Sequence, residues 1–308
     1  MSISVIIPTY NAELYLPKLL EALKLQTVSF ELIIIDSSST DNTLKIVQEY
    51  ADKIISIPQS DFDHGGTRTK AGKEANGDIL VFLTQDALPY NNKAIENIVK
   101  IFDDPKIGAS YGRQLAYKDT NPFGTHLREF NYGTNSYIRN LKDKNKFGIK
   151  TAFLSDSFAS YRRESLEKIG WIKDGLIVGE DTYAGAKILL NDYSLAYIAD
   201  AKVYHSHNYT IIQEFKRYFD IGVFHKREDW ILKEFGKAEG EGGKYIKSEI
   251  KYLISNNLYH LIPQFFIRNG MKYIGYKLGQ KHQSIPPKII KKISMHSFWW
   301  DFMKIDKN

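Results

Sequence analysis

The amino-acid sequence predicts an α/β fold: a mostly parallel sheet flanked by helices, followed by a helical C-terminal extension. Three observations carry that expectation. Short β-branched runs alternate with helical segments through the first hundred residues, as a parallel sheet with crossover helices requires. The alternation continues less regularly to about residue 209, and from Thr210 the pattern turns helical and basic. The 308 residues thus divide into a body, 1–209, and a tail, 210–308, with no internal repeats and no low-complexity linker.

The elements follow in order. SISVIIP and FELIIID read as buried strands. Between them Leu14, Leu16, Leu19, Leu20, Leu23 and Leu25 form the apolar face of a helix, with Asn11 as its cap. A helix near 41–50, a strand at 53–57, a helix near 67–76 closed by Gly77, and the strand ILVFL complete the order β-α-β-α-β-α-β. A helix around 93–102 and a strand near 109–111 extend the sheet, and the aromatic, polar stretch 121–147 breaks the alternation. A strand-like run at 153–161, a helix at 164–168, the segment GLIVGEDTYAGAKILL and the strand YSLAYIADAKVYH finish the body. In the tail, Pro263 and the Pro286-Pro287 pair mark the breaks between helices.

Composition narrows the chemistry. With no cysteine, disulfides, thiolate zinc sites and cysteine nucleophiles are excluded; a reducing cytoplasm is the expected compartment, and any metal must sit on oxygen or imidazole. The opening MSISVIIPTYN is too short and too soon interrupted by Pro8 to read as a signal peptide or a spanning helix. The tail carries 18 Lys/Arg against 10 Asp/Glu, the body 24 against 26. A basic, aromatic-rich tail suits an anionic membrane surface or a nucleic acid, while a near-neutral body suits small molecules.

In open α/β sheets ligands bind beyond the carboxyl ends of the strands. Thr9, Tyr10 and Asn11 follow the first strand, Asp36 the second, residues 61–68 the third, and Gln85 and Asp86 the fourth. Each alone suits a turn or a cap; four together point to a site. Asp36 is placed to accept the ring NH of a pyrimidine base. The run Asp63-His64-Gly65-Gly66-Thr67-Arg68 precedes a helix, so its backbone NH groups and Arg68 are candidates for a phosphate. Asp86 is a candidate ligand for Mg²⁺ or Mn²⁺, joined by His205 or His207. The Glu180-Asp181 pair at a helix start reads either as partners of the helix dipole or as catalytic acids. The Rossmann dinucleotide fingerprint and the P-loop are both absent, which argues against a dehydrogenase or an ATPase.

The ordered motifs SVIIPTYN, IIIDSSSTDNT, HGGTRTKAGKEANGDILVFLTQDA and GEDTYAGAKIL resemble the inverting family 2 of GT-A glycosyltransferases. FDHGGTRT, LTQDALP, LSDSFASYRR and KVYHSHNYT are similar to bacterial rhamnosyltransferases of that family, which build surface polysaccharides. The resemblance covers residues 2–210 and implies a GT-A fold, a nucleotide-sugar donor such as dTDP-rhamnose, a divalent cation and inversion at the anomeric carbon. It further implies that Thr9, Tyr10 and Asp36 meet the base or ribose, that His64, Arg68, Gln85 and Asp86 lie on the donor side, and that Asp86 with His205 or His207 holds the metal. Asp181 would be the general base, with Asp156, Trp171 and Glu180 on the acceptor side. The sequence departs from the family pattern in three places: Thr84-Gln85-Asp86 replaces the aspartate-x-aspartate motif, Asp36-Ser37 replaces two aspartates, and Thr69 stands where an asparagine is common.

The function expected is transfer of a sugar to a hydroxyl of a growing, lipid-linked polysaccharide, by an enzyme peripheral on the cytoplasmic membrane face. The tail is the candidate for membrane or subunit contact. A UDP-sugar donor is the nearest alternative. A nucleotidyltransferase would need a basic glycine-rich loop after the first strand, and PTYNAELYLP is not one. A nucleic-acid-binding module using the tail would bind with a steep salt dependence and need no sugar nucleotide.

Overall fold

The structure, a computed structural model, describes residues 1–236 and 239–302. The body contains β1 (Ile3–Thr9), α1 (Leu16–Lys24), β2 (Glu31–Asp36), α2 (Thr43–Val47), β3 (Lys53–Ser56), α3 (His64–Glu74), β4 (Ile79–Leu83), β5 (Leu88–Pro89), α4 (Ala94–Val99) and β6 (Ile107–Leu115). It continues with α5 (Pro122–Asn131), β7 (Tyr137–Arg139), α6 (Lys144–Phe147), β8 (Phe158–Arg162), α7 (Arg163–Lys168), α8 (Glu180–Leu190) and β9 (Ser194–Tyr204). The tail holds α9 (Ile211–Arg227), α10 (Asp229–Phe235), α11 (Glu239–Ser255), α12 (Ile262–Gln280), α13 (Pro287–Ile293) and α14 (Trp299–Phe302).

The strands form one sheet in the order β3-β2-β1-β4-β8-β6-β9-β5, with β7 paired to β9. The first four strands are mutually parallel, β8 runs antiparallel between β4 and β6, and β6 and β9 are parallel again. The unbroken apolar runs of β1, β2 and β4 follow from burial on both faces. Ile6, Ile33, Ile35, Leu80 and Phe82 feed one core layer, while Val5, Ile7, Ile34, Val81 and Leu83 feed the other, the two-residue period of a strand.

The structure corrects the local reading in several places. Leu14 and Leu25 are exposed, and α1 buries only Leu16, Leu19, Leu20 and Leu23. Asn11 does not cap that helix: it sits in the left-handed region at φ 46°, and its Oδ1 accepts from Thr40 N at 2.9 Å, tying the end of β1 to the loop after β2. The third helix starts at His64, earlier than expected, because Asp63 Oδ1 caps the NH groups of Gly65 and Gly66 at 3.0 and 2.7 Å. Of the run 153–161, only Phe158 onward joins the sheet; the preceding loop carries Asp156 into the cavity described below. Pro263 and Pro287 open α12 and α13 at positions whose NH has no partner within the helix.

The tail packs into the same core as the body. Phe219, Val223 and Phe224 of α9, Phe235 of α10, Ile290 and Trp300 join Tyr161, Ile177 and Ala184. Buried Glu214 pairs with Arg268 at 2.8 Å and Lys272 at 3.4 Å, which holds α9 against α12. Among the described residues no helix is long and apolar enough to cross a membrane.

Candidate active site

The carboxyl ends of β1 and β4, the start of α3, the 153–157 loop, the start of α8 and the end of β9 open onto a cavity of about 750 Å³, roofed by α9. Two clusters of polar residues line it.

The first cluster lies where β4 and β9 end. Asp86 Oδ2 is 3.5 Å from His205 Nε2 and 3.8 Å from His207 Nε2. One ligand atom from each residue falls within 4.8 Å of the others. Neighbouring side chains fix the tautomer of His205. Arg128 Nη1, which can only donate, donates to Gln114 Oε1. His205 Nδ1 lies 2.8 Å from that same oxygen and must carry the proton. Its Nε2 therefore aims a lone pair at the Asp86 carboxylate, two acceptors face to face, an arrangement that a cation between them relieves. Burial pushes His205 below its ordinary pKa, and burial with the adjacent His205 pushes His207 down to about 4. Neutral imidazoles are the metal-binding form, so the residues present fit a divalent ion, with an oxygen-plus-imidazole set that favours Mn²⁺ over Mg²⁺.

The second cluster lies at the start of α8. Gly179 caps the helix at φ 82°, and a Cβ there would meet the Phe224 ring at 2.7 Å, so both conformation and space require glycine. The next two residues are Glu180 and Asp181. Arg68 Nε lies 3.6 Å from Asp156 Oδ2 and Arg68 Nη1 3.4 Å from Glu180 Oε1, while Nη1 also donates to His64 O at 2.8 Å. Tyr161 donates its hydroxyl to Asp156 at 2.6 Å. Buried Asp156 and Glu180 thus share one guanidinium beside half-buried Asp181, and the three pKa values spread apart. Burial, then the charges of Glu180 and Asp156, raise Asp181 well above the ordinary carboxylate range. Burial pushes Asp156 up to about 6. Glu180 is held below its usual value, because His64 and Arg68 outweigh its own burial. Carboxyls driven apart in this way are a mark of acid–base sites.

The other expected residues fall as follows. Thr9 and Tyr10 line the cavity, whereas Asp36 is fully buried beneath them, accepting from Thr9 Oγ1 at 2.9 Å and from Ser39 N at 2.9 Å. Gln85 clasps the backbone of Tyr10, accepting from its NH at 2.9 Å and donating to its carbonyl at 3.2 Å, so Asp86 alone turns to the imidazoles. The His64 ring lines the cavity 5.2 Å from that of His296. Trp171 lies outside the cavity, with Lys73 and Arg163 over its ring. The glycines of the α3 start do not present free NH groups to a phosphate. Asp63 takes the NH groups of Gly65 and Gly66, and a Cβ on Gly65 would collide with the Lys173 carbonyl.

Sequence reasoning missed Gln114, Arg128 and Arg217. Gln114 lies at the carboxyl end of β6, but the apolar pattern marks a strand only near 109–111, whereas β6 runs to Leu115. Arg217 sits among other basic residues of a helix, with nothing local to single it out. A second cavity of about 440 Å³ shares Phe62, His64, Met295 and His296 with the first and opens on the carboxylate side. Asp220 fixes the Met295-His296 segment that the two cavities share, accepting from Ser294 Oγ at 2.7 Å and from the backbone NH groups of Met295 and His296 at 3.0 and 2.9 Å.

Residues 4–170 match the family model described as Glycosyl transferase family 2. The chain is 44% identical over 304 residues, 98% of its length and 96% of the relative's, to the O-antigen chain rhamnosyltransferase RfbN of Salmonella typhimurium. It is 45% identical over 303 residues, 97% of its length and 96% of the relative's, to the O-antigen chain rhamnosyltransferase WbaN of Salmonella anatum. Among solved structures it is similar to S. aureus TarS 1-349 in complex with UDP-GlcNAc, with a TM-score of 0.57, 19% identity and 91% of each chain covered. It is also similar to the mannosyltransferase PcManGT from Pyrobaculum calidifontis in complex with GDP-Man and Mn²⁺, with a TM-score of 0.62, 18% identity, and 92% and 88% of the two chains covered. The last two likenesses show a shared fold.

Proposed function

The chain belongs to glycosyl transferase family 2, and from that premise we propose that it moves rhamnose from dTDP-rhamnose, with inversion, onto a hydroxyl of a lipid-linked, O-antigen-type glycan. The observation that carries the choice of sugar and polymer is the identity with two O-antigen chain rhamnosyltransferases over nearly the whole length of all three chains.

The two clusters divide the work. Asp181, its pKa raised towards the working pH, takes the proton of the acceptor hydroxyl, and Asp156 and Glu180 orient that acceptor, which enters through the second cavity. Thr9 and Tyr10 receive the base and ribose, with Asp36 bracing Thr9 from beneath. Asp86, His205 and His207 would hold a divalent ion, which would supply positive charge against the diphosphate when bound. Gln114 keeps the His205 lone pair turned inward. Arg68, with its hydrogen bond and ion pairs all inside the protein, acts through the carboxyls it binds and not on the donor.

Titration calorimetry against a panel of dTDP-, UDP- and GDP-sugars with Mn²⁺ tests this reading. We expect dTDP-rhamnose to bind most tightly. Preference for a UDP-sugar would replace the donor, and absence of any nucleotide-sugar binding would overturn the reading itself.

The reading places the enzyme on the cytoplasmic face of the membrane. Support comes from the surplus of basic residues in the tail and from Tyr259, Phe266, Ile267, Tyr273 and Ile274, which are exposed on and beside α12. Phe265 and Trp300, aromatics of the same tail, are instead buried. Flotation with anionic vesicles at low salt should carry the protein upward, and release it as salt screens the attraction. A protein that stays at the bottom and sediments as an oligomer would assign that surface to a second subunit.

A further inference from the structure

Four permanently cationic side chains line the main cavity among the described residues: Arg68, Arg128, Arg217 and Lys272. Three are committed. Arg68 is paired with Asp156 and Glu180, Arg128 donates to Gln114, and Lys272 pairs with Glu214. Arg217 alone of the four makes no hydrogen bond or ion pair with any described residue. Its guanidinium carbon lies 5.8 Å from the centre of the Tyr209 ring, which in turn packs 5.2 Å from the ring of His207. That chain of rings places a free guanidinium beside the Asp86–His205–His207 cluster. On the proposed reading of this cavity as a nucleotide-sugar site, we infer that Arg217 binds the diphosphate of the donor and stabilises it as the leaving group.

Charge counting supports the assignment. A divalent ion less the charge of Asp86 leaves one positive charge, against two negative charges on a sugar diphosphate and a third that develops as the bond to the sugar breaks. A planar guanidinium meets two phosphate oxygens at once, which an ammonium does not. The opposite end of the cavity, walled by Asp156, Glu180 and Asp181, repels the same anion. The plain alternative is a solvated arginine on a basic helix, and it predicts no effect on ligand affinity.

The test compares dTDP with dTMP, each titrated with Mn²⁺ into the natural enzyme, Arg217→Ala and Arg217→Lys. Because the side chain is exposed and its contact within the described residues is with the Tyr209 ring, the melting temperature should move little. We expect Arg217→Ala to weaken dTDP binding on the order of ten- to a hundredfold, the scale of a lost charge-assisted hydrogen bond, with a smaller loss for dTMP and partial recovery in Arg217→Lys. Unchanged dTDP affinity, or equal losses for both nucleotides, would remove Arg217 from the diphosphate. If the natural enzyme bound neither dTDP nor UDP, the nucleotide-sugar reading would fail first, a result distinct from a natural enzyme that binds and a variant that binds equally well.

Discussion

Asp181→Asn should fold, bind dTDP-rhamnose with natural affinity and lose transfer by roughly 10²-fold or more, the scale usual for removing a general base. An alcohol is a poor nucleophile until its proton has an acceptor, and Asp181 lines the cavity beside the opening proposed for that alcohol. Its environment also sets the pH response. Burial and the neighbouring Glu180 and Asp156 raise its pKa, which means that the proton stays on to a higher pH than on an ordinary carboxyl. Transfer should therefore fall as pH drops through that raised value, and the acid limb of the rate profile should lie well above the range of a solvated aspartate. Glu180→Gln, which removes one source of the elevation, should shift the limb to lower pH and cost less rate. If Asp181 served only as a partner of the helix dipole, its loss would cost about 0.3–1 kcal/mol of stability and leave the rate untouched. A stable, donor-competent Asp181→Asn enzyme with full activity would end the assignment.

The second large effect is expected at the metal cluster. Asp86→Ala should abolish measurable transfer and Mn²⁺ binding together, since it removes the carboxylate ligand and leaves two neutral imidazoles, and a Lewis acid is worth several kcal/mol to a developing charge. Excess EDTA should reproduce the loss, and added Mn²⁺ should reverse it. A milder variant separates ligand from support. Gln114→Leu leaves all three ligands in place but frees the His205 ring to turn or to exchange tautomers, and should weaken Mn²⁺ about 10- to 100-fold; because it also strips buried Arg128 of its acceptor, the melting temperature should fall with it. Undiminished turnover in EDTA would show that the cluster holds no catalytic ion.

Much of the architecture could be read from sequence because its signals are local. The apolar runs of β1, β2 and β4 mark strands buried on both faces, and the polar residues immediately after them mark the ligand end of the sheet. The approximate position of the first helix follows from its leucine periodicity. Helix boundaries were less legible: the start of α3 depended on which atoms Asp63 would cap, and the exposed Leu14 and Leu25 fit a helical spacing without belonging to the helix. In the site, Asp86 with the His205 and His207 pair, and the Glu180-Asp181 pair, were visible as residue types at strand and helix ends.

What the sequence by itself determined, then, was the order of elements, the end of the sheet onto which the candidate site opens, and the families of side chains gathered there. What only the tertiary structure decided was which of those side chains are free to act. Arg68 and Glu180 are 112 positions apart, and His205 and Gln114 are 91 apart, yet the fold pairs the guanidinium with a carboxylate and fixes the tautomer of the imidazole. The same holds for α9, whose place as the roof of the cavity follows from Phe219, Val223 and Phe224 joining the core of the body and from no pattern within the helix itself. Propensity and periodicity act over a few residues, whereas charge pairing and close packing act through space between groups that the folded chain alone brings together.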